Sequence, residues 1–286
     1  MGYHTPGGPV WRYFGDLRCM LVASELLVMQ VAHPVVGAGV EQYSAFRTQP
    51  WRRLWETLLS LNTVIYGGPR AAEAETARLR ALHAGFTGTD ARGRPYRALD
   101  PEAYHWVHAT LVMGAVEAHE RFGRPFGPAL TEAYYREMRA VGRLWGLAER
   151  DMPADWAAFR AYYDDMVDRR LELNRSVQDL LEVLRHPAKP PVRWVPAALW
   201  RPVADAMGRG TLLVTIGLLP APLRERFGLA WTPRQERALR RFARAVRVGM
   251  AAVPPPLRIA HARGLARWNT RRRAPRCGDG TGKTRR

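Results

Sequence analysis

Arg53 and Thr57 stand one helical turn apart, and Arg80 stands one turn before His83, whose imidazole lies between Leu79 and Phe86 on an apolar stripe. A guanidinium pairs with carboxylates, a small hydroxyl can donate to a bound diatomic, and an imidazole nitrogen can hold iron. Together these side chains suit a haem pocket. Ala84 and Gly85, just after His83, are small enough to let a flat macrocycle approach the backbone. His33, before Pro34 at a helix end, offers either a distal polar group or a cap on the last carbonyls of that helix.

The other histidines sort by their surroundings. His4, His186 and His261 fall in loops or basic ends, and His119 sits in the charged run Glu117-Ala118-His119-Glu120-Arg121, which reads as surface. His108 shares an apolar face with Tyr104, Leu111 and Val112, as a hydrogen-bonded core histidine or as a neighbour of the cofactor. Glu102-x-x-His105 is half of a di-iron carboxylate motif, but no other histidine has a glutamate three residues before it, so the second half is missing. Hydrolase signatures are absent too: there is no Gly-x-Ser-x-Gly, no His-Glu-x-x-His and no phosphate-cradling glycine loop.

Composition narrows the class. A chain of 286 residues with 47% hydrophobic content can bury a core of its own. Cys19 and Cys277 lie far apart and form no Cys-x-x-Cys pair, which rules out a zinc knuckle and covalent haem attachment, so any haem here is expected to be non-covalent. The net charge of +18 invites a nucleic-acid reading, yet the stretch from Arg258 to Arg286 holds ten Arg or Lys against the single acid Asp279. Half of the excess therefore sits at one end, and Lys189 and Lys283 are the only lysines, so no specific nucleic-acid partner is expected. The start lacks a basic leader, and the apolar stretch Cys19 to Val36 is broken by Glu25, Gln30, His33 and Pro34. That stretch reads as a buried core helix in a cytoplasmic protein, with peripheral contact of apolar surface with a membrane left open.

The elements that must position these residues are helices. The patterning predicts one ending near His33-Pro34, where proline stops it, a second from Trp51 to Tyr66, and a third from Arg70 to Phe86. Gly88 to Pro95 is a polar loop, and Asp100-Pro101 opens a helix to Phe122 with an N-cap and a proline at its first position. Further helices are predicted over Ala129–Trp145, from Pro153 to about Leu184, over Ala197–Leu218, and from the capping box Thr232-Pro233-Arg234-Gln235 to Gly249. His186 to Pro196, with four prolines, is a linker or crossing loop. With no strand pattern and no repeat, the fold class is all-α: a 1–10 loop, one multi-helix globular domain over 11–269, and a disordered basic tail over 270–286.

A series of short motifs runs in order along the chain: Ala32-His33-Pro34, Gly39-Val40, Ser44-Ala45-Phe46, Arg53-Leu54-x-x-Thr57, Leu82-His83, Tyr96-x-Ala98-x-Asp100-Pro101, Trp106-Val107-His108-Ala109-Thr110-Leu111 and Leu218-Leu219-Pro220. From about Trp11 to Trp231 the chain resembles the MpaB-type oxygenase family, which includes the catalytic domain of the latex-clearing rubber oxygenases. The resemblance implies a globin-like helical core enclosing one haem b and a reaction of dioxygen with carbon-carbon double bonds. It also implies His83 as proximal iron ligand, with Arg53 and Thr57 lining the pocket. Arg53, Arg80 and His108 are then the candidate cofactor-binding residues, and Arg53, Thr57 and His33 the candidate catalytic ones. Glu56 stands where the rubber oxygenases carry a distal lysine. The reading is a haem-dependent oxygenase of an apolar, unsaturated, terpenoid-like small molecule, with a non-catalytic haem- or lipid-binding protein as the alternative.

Overall fold

The computed structural model describes residues 6–192 and 196–273, with 197 and 198 as backbone only. Within them the chain forms α1 (Pro9–Tyr13), α2 (Cys19–Ala32), α3 (Pro34–Tyr43), α4 (Pro50–Tyr66) and α5 (Pro69–Ala84), then a hairpin of β1 (Thr87–Thr89) and β2 (Pro95–Arg97). It continues with α6 (Pro101–Phe122), α7 (Pro128–Leu144), α8 (Trp156–Arg169), α9 (Arg175–Arg185), α10 (Ala197–Leu218), α11 (Ala221–Arg226), α12 (Pro233–Ala251), α13 (Pro255–Arg258) and α14 (Ala260–Arg273). The class is all-α, as the sequence predicts. Proline opens α3, α4, α5, α6, α7 and α12, where its fixed φ suits a first turn and its missing N–H costs nothing. The Asp100 carboxylate caps α6 through the Ala103 amide at 3.1 Å, and Thr232 and Gln235 form both halves of the capping box on α12.

Four elements depart from the sequence-based expectation. Pro34 ends α2 but also starts α3: His33, held extended before the proline, turns the chain so that the two helices meet at 102°. The polar loop after α5 closes into an antiparallel hairpin, pairing Thr87 with Arg97 and Thr89 with Pro95. Its tip is held by the Asp90 carboxylate, which accepts from the Arg92 and Arg94 amides at 2.9 Å each. The long helix expected after Pro153 is two, α8 and α9, because Asn174 caps α9 through the Val177 amide while its side-chain amide donates to the Val31 carbonyl at 2.7 Å. Residues 270–273, expected in a disordered tail, belong to α14, where Arg273 reaches Glu75 at 2.8 Å. The remainder of that expectation, 274–286, lies outside the described residues.

The main core gathers Met29, Ile65, Trp106, Tyr134, Met138 and Phe159 from α2, α4, α6, α7 and α8, and the Trp106 indole donates to the Met29 carbonyl at 2.9 Å. A second cluster joins Val22 and Leu26 of α2 and Phe122 of α6 to Val214, Leu218 and Leu239 of α10 and α12. α4 lies between α5 and α14: Ser60 donates to Glu75 at 2.5 Å, and the Asn269 amide donates to the Thr63 hydroxyl at 2.8 Å. Among the described residues no single helix is long and apolar enough to cross a membrane; the bent pair α2–α3 passes by length and composition alone.

Candidate functional site

His83 lies in the last turn of α5, with its side chain half-buried against α6. Its ring meets Phe86 edge-on at 5.6 Å between centroids and Tyr104 at 6.2 Å. Neither ring nitrogen bonds a described residue, and Nδ1 is buried without a partner. Burial first, then the charges of Arg53 and Arg78, hold the imidazole below its ordinary pKa, so it is neutral near pH 7 and has a lone pair to offer. Metal-bound histidines usually have the other ring nitrogen oriented by a carboxylate or carbonyl; among the described residues none does so here, and the ring packs against Phe86 and Tyr104 instead.

Phe86, which meets the His83 ring, stacks on Tyr43 at 4.4 Å, and on the neighbouring α4 Trp55 meets Trp268 of α14 at 6.2 Å. Tyr43, Trp55, Leu82 and Trp268 are 44%, 48%, 45% and 45% exposed. Arg53 is exposed and close enough for its charge to act on His83.

The remaining sequence-predicted residues are spread over other contacts. The Arg53 guanidinium donates to Glu56 at 3.1 Å, and the Thr57 hydroxyl donates to the Arg53 carbonyl at 2.9 Å. Glu56 also accepts from Arg52 at 2.9 Å, and these bonds, Arg52's foremost, hold its carboxyl below the usual range. Arg80 turns away from His83 and donates to the Trp145 carbonyl at 3.0 Å. His108 is core: its Nε2 faces the Met138 carbonyl at 2.9 Å, and burial pushes its pKa down to about 4. His33 is 1% exposed and pairs through Nε2 with Glu102 at 3.2 Å, while Glu102 also accepts from Arg170 Nε at 2.9 Å. That chain ties the α2–α3 corner to the starts of α6 and the end of α8. Of the six candidates, then, Arg53 and Thr57 share the α4 turn near His83, whereas Arg80, His108 and His33 are each engaged elsewhere.

Glu102 is thus committed to His33 and Arg170, and His105 stacks on Tyr162 at 4.5 Å, which closes the di-iron reading; among the described residues no three His, Cys, Asp or Glu side chains gather as a metal site. His119 is not at the surface. It is 2% exposed, its Nδ1 donates to the Ala115 carbonyl at 2.8 Å, and its Nε2 lies 3.8 Å from Asp16. Asp16 in turn accepts from Arg18 at 2.7 and 2.6 Å, a buried ion pair.

A polar feature the motifs did not flag lies toward the other end of α6. Glu25 of α2 and Glu117 of α6 share a hydrogen bond between carboxyls at a cavity of about 380 Å³, whose rim carries Arg121, Arg160 and Arg224. Burial drives Glu25 well above the usual carboxyl range and Glu117 up to about 7, so the pair holds a proton at neutral pH. The signal in the sequence was Glu25 itself, a lone acid inside the most apolar stretch of the chain.

The family model described as ER-bound oxygenase mpaB/B'/Rubber oxygenase, catalytic domain, matches residues 11–248. Neither the curated proteins nor the solved structures hold a match.

Proposed function

We propose that this chain, which belongs to the ER-bound oxygenase mpaB/B'/rubber oxygenase family, is a haem-dependent member acting with dioxygen on an apolar, unsaturated small molecule. Membership makes it an oxygenase catalytic domain; the haem, its ligand and the substrate class are the proposal. The observation that carries it is His83: a neutral imidazole with no hydrogen-bond partner, set in an exposed aromatic rim beside a guanidinium. Those residues fit a non-covalent haem better than any other feature near them, because a macrocycle needs an axial nitrogen, apolar faces and a cation for its propionates.

In this reading His83 would hold the iron and Arg53 would pair with a propionate, while the haem supplies activation of dioxygen. The protein's own residues bind and exclude. Tyr43, Phe86 and Leu82 remove water from an apolar ligand, and Phe86 and Tyr104 fix the His83 ring. Arg53 must exchange Glu56 for the propionate, leaving Arg52 to neutralise Glu56. Thr57 can donate to a ligand only by releasing the Arg53 carbonyl, a rotation about one bond. Glu56 accepts from two arginines and, as a carboxylate, offers no nitrogen where rubber oxygenases are expected to carry lysine.

The test is the visible spectrum of the full chain expressed with ample haem. A Soret band is expected, reduced at least tenfold in haem content by His83→Ala and unchanged by His108→Ala, whose folding can be checked by circular dichroism. A wild-type protein without a Soret band, or equal haem retention in His83→Ala, overturns the assignment.

A further inference from the structure

We propose that the face made by α12, α13 and the start of α2 docks on an anionic lipid surface. Arg234, Arg237, Arg241 and Arg244 recur at three- and four-residue spacing along α12, all four exposed, and Val248 continues the stripe at 68% exposure. None of the four has an ion pair among the described residues. Arg240 on the flank is held by Glu236 at 2.7 Å and Arg247 donates to the Arg121 carbonyl at 3.0 Å, so the α12 arginines with neither an ion pair nor a hydrogen bond among the described residues are the four of the outward stripe. The opposite side of the helix, with Leu239, Ala243 and Val246, packs into the second core cluster, which fixes the rotation of α12. Four like charges in a row on one face weaken a helix unless an anion lies against them.

The stripe runs into exposed apolar residues. Leu257 of α13 is 59% exposed, and the next residue's carbonyl accepts from the Leu17 amide at 3.0 Å, which brings Leu17 and Met20, each 38% exposed, to the same tip. Phe242, also 38% exposed, flanks the stripe and meets Phe122 at 6.0 Å. A basic stripe leading into a small apolar tip matches a headgroup layer with acyl chains beneath it. A nucleic-acid backbone would engage the arginines and leave the tip in water. Tyr104 of α6 touches His83, whereas Phe122, at the other end of this 22-residue helix, touches Phe242. The lipid face therefore stands about 30 Å from the candidate site at 1.5 Å per residue, and the inference does not rest on the haem reading.

Full-length protein is floated with vesicles of phosphatidylcholine alone or with phosphatidylglycerol, and its binding to heparin is measured in parallel. Binding is expected to the anionic vesicles only. Two facing arginines contribute about thirtyfold, so Arg241→Glu with Arg244→Glu should weaken it by at least that factor. Val248→Ser with Leu257→Ser should weaken vesicle binding about fivefold or more while leaving heparin binding unchanged. Both double variants should melt as the wild type does. Equal binding to neutral vesicles, no loss in the arginine variant, or no loss in the apolar variant overturns the proposal; the last of these with intact heparin affinity identifies a polyanion site instead.

Discussion

Replacing Glu117 by Gln tests whether the carboxyl pair in the α6 cavity holds a proton in the folded state. In the native protein burial raises Glu117 from 4.5 to about 7. Between those values the folded chain binds a proton that the unfolded chain has released, so stability falls as pH rises through this window and is flat for this group on either side. At about 1.4 kcal/mol per tenfold, the ionised group costs the fold about 3.5 kcal/mol at most, and water reaching the cavity reduces that to roughly 1–3 kcal/mol. Gln cannot ionise, keeps the shape, and can donate to Glu25. Urea unfolding followed by circular dichroism from pH 4.5 to 8 should show the two proteins equal at the acid end to within about 0.5 kcal/mol. The variant should be more stable by roughly 1–3 kcal/mol at the alkaline end. His33, His105, His108 and His119, all lowered chiefly by burial, contribute the opposite slope, with stability lost as pH falls below 6.5. That slope is common to both proteins, so the difference between them isolates the Glu25–Glu117 pair. Parallel profiles would refute the reasoning.

Asp16→Ala strands the Arg18 guanidinium, itself 6% exposed, without its bidentate partner. The expected loss is about 3–5 kcal/mol in denaturant unfolding, and a loss under about 1 kcal/mol would mean that water replaces the carboxylate. On α10, Gly208→Ala sets a Cβ 2.0 Å from the Arg185 carbonyl oxygen, whereas the same change at Gly210 meets open space. The first should destabilise by about 1–3 kcal/mol and the second should stabilise by up to about 1 kcal/mol, read as opposite shifts in Tm.

Helix starts were legible because their signals are local. Asp100-Pro101 and Thr232-Pro233 with Gln235 carry cap, proline and partner within four residues of one another, and both helices begin where those residues place them. Pro34 was half legible: a residue that ends one helix can open the next, and only the packing of α3 against α9 selects the second role. The break between α8 and α9 was hidden because Leu171 is buried at 3% exposure and continues the apolar pattern through the gap. Residues 270–273 read as disordered on composition, yet Arg273 finds Glu75 across 198 residues, a partner no local window contains. His119 and Glu117 misled for the same reason: a charged run is solvated unless Asp16 and Glu25, distant in sequence, close over it. At the candidate site, the Arg53–Thr57 turn was visible as spacing, but the bonds that occupy Arg80 and His108 depend on backbone carbonyls at Trp145 and Met138.

The brace between α14 and α4 also sets an order of events. Thr63 waits for Asn269 across 206 residues, and Glu75 for Arg273 across 198. At a synthesis rate of about 5–20 residues per second, that interval is roughly 10–40 s. During it the nascent chain has only Ser60 and Arg78 to satisfy the Glu75 carboxylate, and Trp55 lacks the indole of Trp268 beside it. Made long after them, α14 is therefore a latch on α4 and α5, and the Trp55–Trp268 pair forms only when it closes.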